Sequence, residues 1–363
     1  MENYPRARTS SMSASIYLDY QATTPLASEV FAAMEPWLKK NFWNPHSVHV
    51  GGRQAAAAIE AAREQVAALL PAGGRVIFTS GATEAINLAT KGCGLSVTAL
   101  ATEHAAALDC VEHLGGSIVP TRADGLRAHD PAAPGLFAAM FVNNEIGTIQ
   151  PISAIAASIH ETGGLLLCDA VQGFGRMPVP HGPDLIAISA HKIHGPKGIG
   201  ALWVRNGVHL QPLIHGGGQE QGLRSGTLSP ALCVGFGAAA ALAAERMEAD
   251  ANHVETLWNR AKELFTDWEI NGSATHRYKG NLNIRLDGLD VARLMSECRE
   301  VLFSAGSACA SGSGRPSHVL RAIGLSDAQA KSSIRLGFGR YTTLEEIERA
   351  ASLIKAAAER QLV

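Results

Sequence analysis

Leu185-Ile186-Ala187-Ile188-Ser189-Ala190-His191-Lys192 is a short branched apolar run that breaks into polar residues. Bounded downstream by the turn-prone Gly195-Pro196-Lys197-Gly198, it reads as a buried strand delivering Lys192 to the strand's end. Lysine is rarely buried without a partner. An amine held in a dry, apolar setting loses basicity and becomes a Schiff-base nucleophile toward an aldehyde. On this stretch alone, an exposed loop without chemistry stays open as the alternative.

The same pattern recurs upstream. Gly164 to Cys168 is a strand ending in Asp169-Ala170-Val171-Gln172, and Leu136 to Val142 is one ending in Asn143-Asn144-Glu145-Ile146-Gly147. Val97 to Ala101 ends in Thr102-Glu103-His104. Arg75 to Thr79 runs through Ser80-Gly81-Ala82-Thr83-Glu84 into a helix from about Ala85. Strand-then-helix units with nearly continuous apolar strands predict an α/β fold with a mostly parallel sheet covered on both faces. In such sheets the carboxyl ends of the strands carry the chemistry. Thr83, His104, Asn144, Asp169, Gln172, His191 and Lys192 all fall there.

Taken singly, each has a plainer account as a turn or capping residue. Two of these positions are more telling. A small Gly-containing turn into a helix leaves free N–H groups at the positive end of the helix dipole, which is an anion site, although an ordinary helix start stays open. The spacing is neither GxGxxG nor a Walker loop, so no dinucleotide or nucleoside triphosphate is indicated. Asp169 emerges from the dry run Leu165-Leu166-Leu167-Cys168 and needs a cationic or N–H partner to stay charged. The ring nitrogen of pyridoxal phosphate is such a partner, and lysine, aspartate and a phosphate-binding helix start together call for that one cofactor.

Composition narrows the class. At 363 residues the chain exceeds the roughly 250–300 at which one core stops growing, so two domains are expected. A net charge of −2 leaves no footprint for nucleic acid or an anionic membrane. The apolar stretch Ala231 to Ala244 is too short to span a bilayer and reads as a buried helix. Cys93, Cys110, Cys168, Cys233, Cys298 and Cys309 are scattered, with no CxxC pair and no zinc spacing, which fits a reducing cytoplasm and no metal site. The first fifteen residues lack the apolar segment of a secretory signal and read as a tail, with Met12 a candidate start.

The motifs quoted so far, with Tyr17-Leu18-Asp19-Tyr20-Gln21-Ala22-Thr23-Thr24-Pro25, Gly216-Gly217-Gly218-Gln219-Glu220, Arg224-Ser225-Gly226-Thr227 and Ser307-Ala308-Cys309, closely resemble the pyridoxal-phosphate-dependent cysteine desulfurases of the NifS/IscS type, in the class V aminotransferase group. The resemblance runs to about Tyr341. It implies a fold-type-I architecture in which Lys192 holds the cofactor, His104 stacks on its ring and moves protons, and Asp169 pairs with the ring nitrogen. It implies further that Gln172 contacts the phenolic oxygen, that Asn144 contacts cofactor or substrate, and that Ala82, Thr83, Ser189 and His191 hold the phosphate. Thr227 would reach the phosphate from a neighbouring subunit, making a homodimer, and Arg335 would fork onto the substrate carboxylate.

Past Pro230 the composition changes. An Ala-rich helix from Ala231 to about Met247 leads into a region with fewer strands, which places a large domain over 16–247 and a smaller α+β domain over 248–363. Thr343 and Glu346 form a capping box for a final helix, Leu344 to Leu362. The run Phe303-Ser304-Ala305-Gly306-Ser307-Ala308-Cys309-Ala310-Ser311-Gly312-Ser313-Gly314 is too rich in Gly, Ser and Ala to pack a core, odd surroundings for a structural cysteine. By the resemblance Cys309 is the nucleophile that takes sulfur from L-cysteine, leaves L-alanine, and passes the sulfur to an acceptor or iron–sulfur scaffold protein. A selenocysteine lyase, an aminotransferase of the same fold and an inactive scaffold protein are the alternatives. Trp43 and His46 stand where many relatives have smaller residues, and the chain lacks a long C-terminal extension, which leaves the acceptor open.

Overall fold

The computed structural model describes residues 15–131, 133–305 and 316–362. Met12, Ser307, Ala308 and Cys309 lie outside the described residues.

In chain order, β1 (Ile16–Tyr17), α1 (Ser28–Lys39) and α2 (Val50–Ala67) precede an alternating block. That block is β2 (Gly74–Thr79), α3 (Ala82–Gly92), β3 (Val97–Leu100), α4 (Ala105–His113), β4 (Ser117–Val119), β5 (Leu136–Met140), α5 (Ile152–Glu161), β6 (Leu165–Asp169), β7 (Leu185–Ser189) and β8 (Gly200–Arg205). Then follow α6 (Pro230–Leu264), β9 (Glu269–Ile270), β10 (Asn281–Arg285), α7 (Val291–Glu297), β11 (Val301–Leu302), α8 (His318–Ala322), α9 (Asp327–Lys331), β12 (Ser333–Gly337) and α10 (Leu344–Leu362).

The seven-stranded sheet has the order β2-β8-β7-β6-β5-β3-β4. Its pairs are parallel except those of β8, which runs antiparallel to β2 and β7. Side chains alternate between two buried faces, as an α/β sheet requires. Leu166, Cys168, Ile186 and Ile188 join a core with Val30 and Met34 of α1, Ile59 of α2, Ile155 of α5 and Phe236 of α6. Leu167, Leu185, Ala187 and Leu202 face Ile86 and Leu88 of α3 and Val111 of α4. The apolar runs that looked uninterrupted in sequence are therefore strands dry on both sides.

A second core gathers around the three-stranded sheet β12-β10-β9, with α7, α10 and the distal half of α6. Ile16 and Leu18 belong to it, because β1 pairs in parallel with β11. The helix expected over 231–247 runs on to Leu264, started by the Ser229 hydroxyl, which accepts from Leu232 N–H, and by Pro230 in its first turn. Its Phe236, Ala240 and Ala243 pack in the first core and its Val254, Leu257 and Trp258 in the second, so it passes straight through the boundary expected at 247. At α10 the reciprocal Thr343 and Glu346 bonds are present. Among the described residues no helix is long and apolar enough to cross a membrane.

Candidate active site

Strand register brings the polar strand ends together. Gly200 of β8 pairs with Thr79 on one side and Ser189 on the other, so the turn Ser80-Gly81 into α3 lies one strand away from the turn carrying His191 and Lys192. Asp169 pairs with Met140 and Ala187, placing it between the Asn143–Asn144 loop and the lysine turn. His104 opens α4 at the next strand but one.

Lys192 closes a single 3-10 turn after β7. Its Nζ donates to the main-chain oxygens of Gln21 at 2.5 Å and Ala22 at 2.8 Å. Burial, with the positive charges of Arg176 and Arg335, brings the lysine pKa down to about 7, against the opposing pull of Asp169 and Asp19. Arg176 donates to Lys192 O at 2.7 Å and to Gln172 Oε1 at 2.8 Å, while Gln172 Nε2 donates to Gln21 O at 2.9 Å. Gln172 thus stands against the lysine through a shared acceptor. Arg176 and Gln21 were not singled out from sequence; Gln21 lies in a quoted motif, while Arg176 stands in no motif at all.

Asp169 is buried, and its Oδ1 accepts from Val171 N–H at 2.9 Å. Desolvation raises its carboxyl pKa on balance, against the smaller lowering by that N–H and by the neighbouring His104 and Lys192. Glu103 has 0% exposure, and its Oε1 accepts from Met140 N–H at 2.6 Å while Oε2 has no partner. Burial first, and Asp169 second, push the Glu103 carboxyl well up. Two acids close together in a dry site cannot both ionise cheaply; burial raises both carboxyls, and Asp169 has Lys192 and the Val171 N–H to favour its charge where Glu103 has only the Met140 N–H, so Glu103 is the one that keeps the proton. His104 Nδ1 accepts from Ala106 N–H at 3.1 Å, which in the neutral ring leaves the proton on Nε2.

At α3, Gly81 occupies the cap position without a side-chain cap bond, and a Cβ built on it would meet nothing within 4 Å. The helix start therefore opens onto free space. Ala82 and the exposed Thr83 are its first residues, and Ser189 is buried one strand over. His191 Nδ1 lies 3.1 Å from Thr23 Oγ1, and burial, then Lys192, lowers its pKa to about 4, which keeps it neutral. A lysine of reduced basicity, a buried carboxyl held by cations and an uncapped helix start fit pyridoxal phosphate. Among the described residues no group of three or more His, Cys, Asp or Glu could hold a metal ion.

Arg335 on β12 is 1% exposed. It donates to Asp19 Oδ1 at 2.6 Å, Ser304 Oγ at 3.3 Å and Asn144 O at 2.9 Å, and its buried Nε has no partner. The Asn144 main chain also accepts from Asn281 Nδ2 at 3.2 Å. The second core thus lends an arginine to the strand ends of the first. Thr227 is exposed on the loop before α6.

A family model, "Aminotransferase class-V", matches residues 16–350. The chain belongs to the class V aminotransferase family. It is 41% identical to "Cysteine desulfurase IscS" of Rickettsia rickettsii (strain Iowa) over an alignment that covers 93% of this chain and 90% of the relative, and 42% identical to the protein of the same name from Rickettsia bellii (strain OSU 85-389) with the same coverage. A NifS-like protein from Rickettsia africae ESF-5 superposes with a TM-score of 0.88 at 28% identity, covering 95% of this chain and 99% of that one. SspA, solved in complex with cysteine, gives a TM-score of 0.78 at 35% identity over 91% of this chain and 100% of its own. The α/β architecture is that of fold-type-I pyridoxal-phosphate enzymes, and the family depends on that cofactor.

Proposed function

We propose that this protein is a cysteine desulfurase, converting L-cysteine to L-alanine and leaving the sulfur as a persulfide on Cys309. The observation that carries the reading is the half-buried Lys192, its pKa lowered to about 7, set beside the buried Asp169 and the open start of α3. Pyridoxal phosphate, when bound, supplies the electron sink that lets bonds at the substrate α- and β-carbons be made and broken. Lys192 would anchor it, and Lys192 and His104, whose Nε2–H is set by the Ala106 bond, would move a proton at the substrate. Asp169 keeps the negative charge that Glu103 forgoes. Ala82, Thr83, Ser189 and His191 receive the phosphate, and Gln172 the ring oxygen. Arg335 and Asn144 orient the substrate carboxylate, Arg335 exchanging part of its Asp19 contact for it.

Cys309 then attacks the substrate sulfur as thiolate. The carbon–sulfur bond breaks, a sulfur–sulfur bond forms, and the bonding pair stays on the carbon side, to be protonated to alanine. The persulfide passes to an acceptor, with iron–sulfur cluster assembly the reading that the IscS relatives support. A homodimer with Thr227 contributed across the interface is supported by the exposure of Leu38, Phe42, Val48 and Val50, an apolar surface that a second copy would cover. Cytoplasmic residence is supported by the scattered cysteines.

Cys309→Ser tests the reading. It should still change the cofactor absorption on mixing with L-cysteine, yet form almost no alanine, because a hydroxyl is protonated at neutral pH where a thiol is a few per cent thiolate. The wild type, mixed briefly with L-cysteine without reductant, should gain one sulfur atom on the Cys309 peptide. Full activity in the serine variant overturns the reading.

A further inference from the structure

Ser317 and His318 stand eight and nine residues after Cys309. Both bond to the loops that frame the cofactor site. The Ser317 hydroxyl donates to Glu145 Oε2, a carboxylate on a residue 1% exposed, while accepting from Leu320 N–H at 3.2 Å to start α8. His318 Nε2 lies 2.8 Å from Glu103 O; because a carbonyl only accepts, that nitrogen carries the proton. The apolar side of α8 and α9, through Val319, Leu320, Ile323 and Ala330, builds a separate small core on Ile146. Glu103 adjoins His104, Glu145 adjoins Asn144, and Ile146 follows. Upstream, Ser304 exchanges main-chain bonds with Arg335 at 2.7 and 3.3 Å. Both ends of the segment that contains Cys309 are therefore registered to residues of the site.

Burial of α8 needs only its apolar contacts. The two polar bonds go further, to two different loops whose neighbours differ in chemical role. We infer that Ser317 and His318 are positioning residues for the sulfur-transfer step, fixing the start of α8, downstream of Cys309 in sequence, to the loops that carry His104 and Asn144. The inference rests on the desulfurase reading and names residues that act through Cys309 without touching substrate.

The test uses the holoenzyme in single turnover with L-cysteine, following cofactor absorbance and the mass of the Cys309 peptide side by side. The double variant Ser317→Ala/His318→Ala should change colour at the wild-type rate but load sulfur on Cys309 about 10- to 100-fold more slowly, the cost expected of a small misplacement of a reacting group. Ser317→Thr/His318→Gln, which keeps a hydroxyl and an N–H donor, should restore loading. Wild-type loading in the alanine pair, equal slowing of colour change and loading, or no rescue by the conservative pair would each overturn the inference. Absence of sulfur on Cys309 in the wild type would be a different result, removing the desulfurase reading and the inference with it.

Discussion

Lys192 Nζ and Gln172 Nε2 donate to one acceptor, the main-chain oxygen of Gln21, at 2.5 and 2.9 Å. A turn near the beginning of the described chain therefore seats two side chains that come from the ends of β6 and β7. With Ala22 O also accepting from the lysine, the amine is held by two main-chain carbonyls, and burial outweighs them in setting its basicity.

The first prediction concerns that basicity. In the folded, cofactor-free protein Lys192 loses its proton near pH 7, while the unfolded chain keeps it to about 10.5. Between those values the unfolded state binds more protons, so this group makes stability rise with pH across the window, whereas below pH 7 both states are charged and its contribution stays at its least favourable. The rate of pyridoxal phosphate uptake should likewise rise with pH to a midpoint near 7, followed by absorbance, with borohydride fixing the label on the Lys192 peptide. Arg176→Met should move the midpoint up by about one unit, since a like charge is removed. A midpoint near 10 in the wild type would contradict the prediction.

Asp169→Asn keeps the size of the side chain and an oxygen for Val171 N–H but removes the charge. The variant should still take up cofactor, with kcat reduced roughly 100-fold or more, because an amide does not hold a ring nitrogen protonated. Unchanged turnover would reduce Asp169 to a capping residue.

Arg335→Lys keeps the charge and loses the fork. KM for L-cysteine should rise roughly 10- to 100-fold with a smaller change in kcat, as a planar two-point contact becomes a point charge. The Asp19 and Asn144 contacts should weaken too, so the melting temperature should fall by a few degrees. An unaltered KM would remove Arg335 from substrate binding.

Gly200→Ala probes the phosphate cradle from behind. A Cβ there would lie 2.6 Å from Ile188 O and 2.7 and 2.8 Å from the Gly81 backbone, where neither neighbour is a flexible side chain. The Ser80–Thr83 turn should be pushed outward, weakening pyridoxal phosphate affinity about tenfold or more in a titration of the apoprotein. Equal affinity would mean that the phosphate is held elsewhere.

The strand ends were legible because a parallel sheet dry on both faces writes itself as unbroken apolar runs, each of which ends on polar residues. The positions of Lys192, Asp169 and His104 at the strand ends were read from that pattern, whereas the role of His104 came only from the resemblance to the desulfurases. Arg176 was not legible: it sits in a turn, and only packing brings it to the carbonyls of Tyr20 and Lys192. Glu103 carried a signal that could have been used, since it sits at the end of a dry strand as Asp169 does, with His104 drawing attention away from it. Ile16 joins the distant β11 by a two-residue pairing too short for any periodicity. The Ala-rich helix was expected to end at about Met247; it instead exchanges one core for another, and Val254, Leu257, Trp258 and Ala261 continue the helical spacing.

That exchange has a mechanical consequence. At about 1.5 Å per residue, the 35 residues of α6 make a rod roughly 50 Å long with one end clamped in each core. A beam shared in this way transmits torque: neither half can swing about it without breaking main-chain hydrogen bonds, and neither can melt while the other keeps its share of the helix intact. The protein should come apart in a single heat-absorption peak, and the alignment of Arg335 with the strand ends should be as rigid as the beam that sets it.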